Sequence, residues 1–226
     1  MSNKKINNFF AQDNKNMNIR CPDTNLFRIL GNFFKNFKNK KILDIGYGNC
    51  ENVNEFLRRE GECFGISLYN KTKLLSFQKK ISKRFLHFDL NKIKKLQFKE
   101  KFNLIICLDT IYYINDLNSF FCEINKHLKK KGIFVFQYIE SQEHCKDSIY
   151  NYKNIKKKNL KKTKSQFYSN FKHNPIIFMN YENDFKKHIQ KNSLKFKLFL
   201  KSENHYIKNK KYFCHKNVYI IVSKKN

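Results

Sequence analysis

Lys41-Ile-Leu-Asp-Ile-Gly-Tyr-Gly-Asn-Cys50 is the stretch whose reading decides the fold of this chain. The apolar run Ile42 to Ile45 predicts a buried strand. It runs into a Gly-x-Gly turn, after which Val53, Phe56 and Leu57 recur at helical spacing. Gly46 and Gly48 carry no Cβ, so the backbone can bend sharply there and pass close to a ligand. The following helix offers unpaired amides and a positive dipole end, which suit an anionic group such as a carboxylate. Asp44 ends the strand, where it would position the loop or accept a hydrogen bond, through water, from a ligand ammonium. By itself, Gly-x-Gly fits an ordinary tight β-to-α turn equally well.

Outward from this stretch, short apolar runs alternate with amphipathic ones. Leu26, Phe27, Leu30, Phe33, Phe34 and Phe37 predict a short lead-in helix before it. After it come Glu51 to Arg59 (helix), Cys63 to Ile66 (strand), Lys71 to Lys83 (helix), Phe85 to Phe88 and Phe102 to Leu108 (strands). A helical face through Leu117, Phe120, Phe121, Ile124 and Leu128 then leads to a strand from Ile133 to Ile139. This β/α alternation predicts an α/β fold: a doubly wound, mostly parallel seven-strand sheet with helices on both faces. Phe185, Ile189 and Leu194 predict a last helix. Phe196 to Leu200 and Val218 to Val222 predict strands joined without a crossover helix, which makes the carboxyl-terminal strand antiparallel. The expected organisation is a single domain over 1–226: a lead-in to 40, a core over 41–140, an exposed Lys/Asn-rich insertion over 150–166, and closing elements over 185–226.

The ordered set resembles class I S-adenosylmethionine (SAM)-dependent methyltransferases, whose first motif is hydrophobic-Leu-Asp-x-Gly-x-Gly-x-Gly. Gly61 to Tyr69, GECFGISLY, is similar to that family's second strand, and Phe85 to Leu90, FLHFDL, to its third. Phe102 to Ile114, FNLIICLDTIYYI, resembles the fourth strand and its substrate-facing loop, and Leu128 to Phe136 the turn into the fifth. The resemblance covers roughly residues 25 to 140 and implies SAM as cofactor, held by Asp44, Gly46, Gly48, Ser67, Asp89, Leu90 and Leu108. In that scheme Asp89 accepts the adenine amino group and Ser67 faces the ribose. Arg20 to Arg28, RCPDTNLFR, is similar to the segment before the glycine strand in small bacterial-type methyltransferases that often act on small molecules; an amino-terminal lid helix with no bearing on substrate is the competing reading.

Three positions depart from the family pattern. Cys50 replaces the third glycine, Ser67 replaces the acid that accepts both ribose hydroxyls, and Lys131-Gly132 replaces Pro-Gly. A hydroxyl makes one such bond without charge assistance, a difference of about 1 kcal/mol. A degenerate, non-catalytic binding protein on the same scaffold is therefore one alternative.

The implied chemistry is attack of a nucleophilic acceptor atom on the sulfonium methyl, aligned and kept dry by the protein. Asp109, Tyr112 and Tyr113 are the candidate catalytic residues, with Tyr138, Glu140 and His144 behind them. Asp109 would orient a cationic amine or act as base, and a tyrosine would supply a hydrogen bond or an aromatic face. Loop capping, core packing and surface placement are the competing structural roles. The Asn/Asp-Pro-Pro-Tyr/Phe motif of adenine and glutamine methyltransferases is absent, since Leu108-Asp-Thr-Ile-Tyr-Tyr113 stands there. A small-molecule acceptor methylated on N or O is thus favoured, with RNA or protein as alternative acceptors.

The formal net charge of +29 points to polyanions in principle. However, only 5 of the 47 basic residues are arginine, and Lys, Asn, Ile, Phe and Tyr share A/T-rich codons, so genome composition also accounts for the lysines. Seven cysteines without a CxxC pair predict no metal and a reducing compartment. Neither a secretory core at the amino terminus nor a membrane-length apolar run is present, so a cytoplasmic location is expected.

Overall fold

Apolar residues on both faces of Lys41–Ile45 (β1) fit only the middle of a sheet. Glu62–Ser67 (β2) pairs with it in parallel on one side and Phe102–Cys107 (β4) on the other. The computed structural model describes residues 21–48, 50–68, 83–92, 95–140, 178–179, 181–208 and 211–225. Phe85–His87 (β3) lies outside β2. On the other flank follow Leu128–Glu140 (β5), then Lys211–Lys224 (β8) and Leu194–Lys208 (β7). The order is β3-β2-β1-β4-β5-β8-β7, and the two-residue strand Phe178–Met179 (β6) pairs with the end of β5. The seven strands on this path are those expected. β8 runs antiparallel to both β5 and β7, as a hairpin closing the sheet requires.

Side chains alternate between two cores, as the period of two in a strand demands. On one face Ile42, Leu104, Ile106, Val135 and Ile221 pack with Leu26, Ile29 and Leu30 of Thr24–Leu30 (α1) and with Val53 and Phe56 of Glu51–Arg58 (α2). On the other, Leu43, Ile45, Ile105, Phe134 and Phe136 pack with Phe121 and Ile124 of Leu117–His127 (α3) and with Ile189 of Lys187–Lys191 (α4). Helices on both faces are thus observed. Asp23 and Asp116 start α1 and α3 by accepting the Leu26 and Ser119 amides, each at 3.0 Å.

Several boundaries differ from the periodicity: Leu128 opens β5 instead of ending α3, and β7 and β8 run beyond the expected Phe196 to Leu200 and Val218 to Val222. α1 stops at Leu30, whose carbonyl takes both the Phe33 and Phe34 amides at 2.9 Å; the remaining phenylalanines arrive in turns yet join the same core, with Phe37 5.1 Å from Phe56. The helix expected around Phe185 opens as a wide π-type turn, Tyr181–Lys186, before α4, and Leu194 already belongs to β7. The helix expected over 71–83, the insertion over 150–166 and His144 lie outside the described residues. Among the described residues no helix is long and apolar enough to cross a membrane, and no group of three or more His, Cys, Asp or Glu is placed to hold a metal.

Candidate active site

The strand order reverses between β1 and β4, so the carboxyl ends of these strands open a crevice at a switch point. The Gly-x-Gly turn stands at its centre. Gly46 (φ 84°) and Gly48 (φ 48°) both take left-handed backbone, but for different neighbours. A Cβ on Gly46 would overlap Thr110 of the loop after β4, with the Thr110 Cβ 2.8 Å away. Among the described residues, a Cβ on Gly48 would meet nothing nearer than the Gly46 carbonyl at 3.9 Å. Gly46 therefore serves packing between two loops, whereas Gly48 is not crowded by any described residue. Tyr47, between them, is buried against the Phe85 ring at 5.4 Å, across Gly65, where a Cβ would lie 2.5 Å from both rings. Burial, with Cys50 and Asp44 adding to it, pushes the Tyr47 phenol up to about 12.

Cys50 closes the turn, its amide donating to the Tyr47 carbonyl at 2.7 Å, and has φ 68° at the N-cap of α2. This explains why the family pattern carries glycine there: the position is left-handed, and a side chain costs about 1 kcal/mol or more. The Cys50 side chain is fully buried and makes no capping bond, so the α2 amides face the crevice without a side-chain acceptor at the N-cap.

Around this turn stand the strand ends. Asp44 is 4% exposed; desolvation, with the Glu51 carboxylate adding to it, pushes its carboxyl up to about 8. Ser67 is buried at the end of β2, where its carbonyl accepts the Phe88 amide at 2.7 Å. Asp89 follows β3, half-buried, with Oδ1 accepting the Asn91 amide at 3.0 Å and so starting the 3-10 turn Leu90–Lys92. Leu90 packs on the α3 side of the sheet and Leu108 on the α1 side.

Asp109 also has left-handed backbone, φ 49°, and its amide donates to Oε1 of Gln137 on β5 at 3.1 Å. Gln137 is 1% exposed, whereas Asp109 is exposed. Thr110 fixes the next residue through Gly46 and through its hydroxyl, which donates to the Leu108 carbonyl at 3.0 Å. Tyr112 sits within the 3-10 turn Ile111–Tyr113, and half-buried Tyr113 packs on the core. Asn91 locks this loop to the one after β3: Nδ2 donates to the Tyr113 carbonyl at 2.9 Å and Oδ1 accepts the Asn115 amide at 2.8 Å. Tyr138 lies fully inside the α3-side core, 5.0 Å from the Phe185 ring, and Glu140 pairs with Lys201 at 2.6 Å.

The structure thus brings Asp44, Gly46, Gly48, Ser67, Asp89 and Asp109 to one edge of the sheet, and it sets Tyr138 and Tyr113 into packing. Gln137, Asn91 and Thr110 escape the sequence analysis. Gln137 had a legible signal, as the lone polar residue in the run Ile133 to Ile139; Asn91 had none. Asp23 is a fourth. Its Oδ2 accepts the Tyr219 hydroxyl at 2.8 Å and its amide donates to Asn52 Oδ1 at 2.9 Å, fastening α1 to β8 and to the first turn of α2.

Residues 20–190 match the family described as a methyltransferase domain. Over 100 residues the chain is 31% identical to the ubiquinone biosynthesis O-methyltransferase of Pelagibacter ubique (strain HTCC1062), covering 44% of this chain and 42% of that protein, less than half of either. Among solved structures, TehB from Haemophilus influenzae superposes with a TM-score of 0.62 at 14% identity, over 93% of this chain and 65% of that one. The 1,6-didemethyltoxoflavin-N1-methyltransferase of Burkholderia thailandensis, solved with 1,6-didemethyltoxoflavin and S-adenosylhomocysteine, superposes with a TM-score of 0.53 at 11% identity, over 89% and 75%. At these identities the structural likeness speaks to the fold.

Proposed function

Because the chain belongs to the methyltransferase-domain family, we propose that it is a SAM-dependent methyltransferase acting on N or O of a small molecule. The observation that carries this reading is the left-handed Gly-x-Gly turn at the carboxyl end of β1, where a Gly48 Cβ would meet nothing nearer than 3.9 Å among the described residues, followed by a helix start without a side-chain cap and close in sequence to buried Asp44. An adenosyl ligand fits these groups. The α2 amides receive its carboxylate, Asp44 its ammonium, Ser67 one ribose hydroxyl, and Asp89, through the oxygen not used in its turn, the adenine amino group. Bound SAM supplies an electrophilic methyl group on a sulfonium.

The remaining work falls to the loop after β4. Asp109, exposed in the loop after β4 with its amide held by Gln137, orients the acceptor or removes the proton that N or O loses on methylation. Thr110 and Asn91 keep that loop at a set distance from the cofactor turn and the adenine loop, so donor and acceptor meet in line. Tyr112 stays in this reading as a contact to the acceptor. A small acceptor is supported by the names of two relatives, one a ubiquinone-pathway O-methyltransferase and one a toxoflavin N-methyltransferase. A reducing, cytoplasmic setting belongs to the same reading, since Cys21, Cys50, Cys63, Cys107 and Cys122 are free thiols.

Calorimetry with S-adenosylhomocysteine tests the cofactor site; no binding at millimolar ligand refutes it. Transfer of a labelled methyl group from SAM to a component of cell extract, lost on Gly46→Arg, tests the activity. The mass of the labelled product separates a small acceptor from RNA or protein.

A further inference from the structure

The loop after β4 is held from two sides. From the sheet, Gln137 accepts the Asp109 amide at 3.1 Å, Thr110 fills the space over Gly46, and Ile111 is fully buried. From the loop after β3, the exposed Asn91 side chain reaches across: Oδ1 accepts the Asn115 amide at 2.8 Å and Nδ2 donates to the Tyr113 carbonyl at 2.9 Å. These two bonds lie in solvent, whereas the Gln137 bond is partly buried.

Only a carboxamide makes this pair. It sets an acceptor beside a donor in one plane and so meets a carbonyl and an amide as a strand rung would. A carboxylate lacks the donor, and alanine lacks both groups. The near end of the link is Asp89, whose Oδ1 accepts the Asn91 amide at 3.0 Å and starts the turn Leu90–Lys92. Leu90, Tyr113, Ile114 and Leu117 all pack on the α3-side core, so the hydrogen bonds join two segments seated on the same surface. A continuous path of three hydrogen bonds thus runs from the Asp89 carboxylate to the backbone of the loop that carries Asp109.

We propose that Asn91 is a positioning residue that couples the adenine site to the acceptor loop. The inference rests on the cofactor placement proposed above and adds a second role to it. Exposed hydrogen bonds compete with water and open readily, so the link exchanges between a closed and an open form while the buried contacts stay made. With Oδ1 anchored by the turn, the Asp89 carboxylate presents its other oxygen in a fixed direction, and the adenine amino group binds the closed form more tightly. The ligand therefore closes the link, and a closed link strengthens ligand binding by the same factor. Closure holds Tyr113 and Asn115, and with them the 3-10 turn Ile111–Tyr113 that follows Asp109. The acceptor then meets a formed loop only when the adenine side is filled.

Solvent-exchange NMR of the Asn115 amide tests this with two ligands: S-adenosylhomocysteine, and its deamino analogue with hydrogen in place of the adenine amino group. In the wild type, saturating S-adenosylhomocysteine should slow exchange about 5-fold, the lower end of the usual coupling range because the link is exposed. The deamino analogue should bind and leave the exchange unchanged. Asn91→Ala should abolish the slowing and, by reciprocity, weaken S-adenosylhomocysteine about 5-fold while sparing the deamino analogue, a split that general loosening of the loop does not give. Asn91→Asp, which sets an oxygen against the Tyr113 carbonyl, should lose the same factor in affinity. Should the variants fail to fold, the comparison of the two ligands on the wild type decides by itself. No binding of S-adenosylhomocysteine to the wild type refutes the cofactor placement, and the coupling with it. Binding without slowing, equal slowing by the two ligands, or slowing that survives in Asn91→Ala overturns the coupling alone.

Discussion

Asp44→Asn should remove a pH dependence that the crevice builds in. Burial and Glu51 push the Asp44 carboxyl from its ordinary value of 3.8 up to about 8 in the folded chain. Between these two values the folded state holds one more proton than the unfolded state, so stability falls as pH rises, by about 1.4 kcal/mol per unit. The contribution is fully present below about pH 4 and lost above about pH 8. From pH 4 to pH 7 the wild type should lose up to about 4 kcal/mol relative to Asp44→Asn, whose amide keeps the shape but cannot ionise. Urea denaturation of both proteins at each pH measures the difference, and other titrating groups cancel in it.

Binding of a ligand ammonium acts on the same group with opposite sign, since it favours the carboxylate. With the carboxyl at about 8, roughly nine in ten molecules carry the proton at pH 7, so cofactor binding should expel close to one proton. Calorimetry with S-adenosylhomocysteine in phosphate and in Tris, which differ in ionisation enthalpy, counts it: about 0.9 for the wild type and none for Asp44→Asn. Equal heats in the two buffers, or parallel stability curves for the two proteins, refute the reasoning.

Gly46→Ala should cost about 2–4 kcal/mol, combining left-handed strain with overlap on Thr110, and Thr110→Gly should restore the steric part in a double-mutant cycle read by denaturation. Gly48→Ala should cost only about 1 kcal/mol of stability yet weaken S-adenosylhomocysteine binding, because its Cβ enters the space proposed for the cofactor; unchanged affinity contradicts the cofactor placement. Mass-spectrometric mapping of iodoacetamide labelling should find Cys21 modified in the native protein and Cys50, Cys63 and Cys107 modified only on unfolding. Burial raises all three buried thiols, Cys50 to about 12. Phe121→Ala should cost about 3–5 kcal/mol in denaturant, since the ring packs 5.6 Å from Phe136 and 6.0 Å from Phe134 between α3 and the sheet.

The fold was legible in the chain because its signals are local. Apolar runs such as Ile42 to Ile45, helical spacing such as Phe120, Phe121 and Ile124, and a glycine turn each act within a few residues, and their order narrows the sheet topology to a few. Asp44, Gly46 and Gly48 could be named because they end a strand or bend the chain into its loop, while Ser67 and Asp89 were named by the resemblance to the methyltransferase family's second and third strands. The sequence also flagged Cys50 as a departure, but only its φ of 68° says why glycine suits that position. What the tertiary structure alone decided is how the loops are fastened to one another. Gln137 holds the Asp109 amide across 28 residues of chain and Asn91 holds the Tyr113 carbonyl across 22. Thr110 takes the space that Gly46 leaves. No periodicity records such pairings: they join groups far apart along the chain, and a side chain's partner is set by where the packed strands bring it, not by its neighbours in sequence.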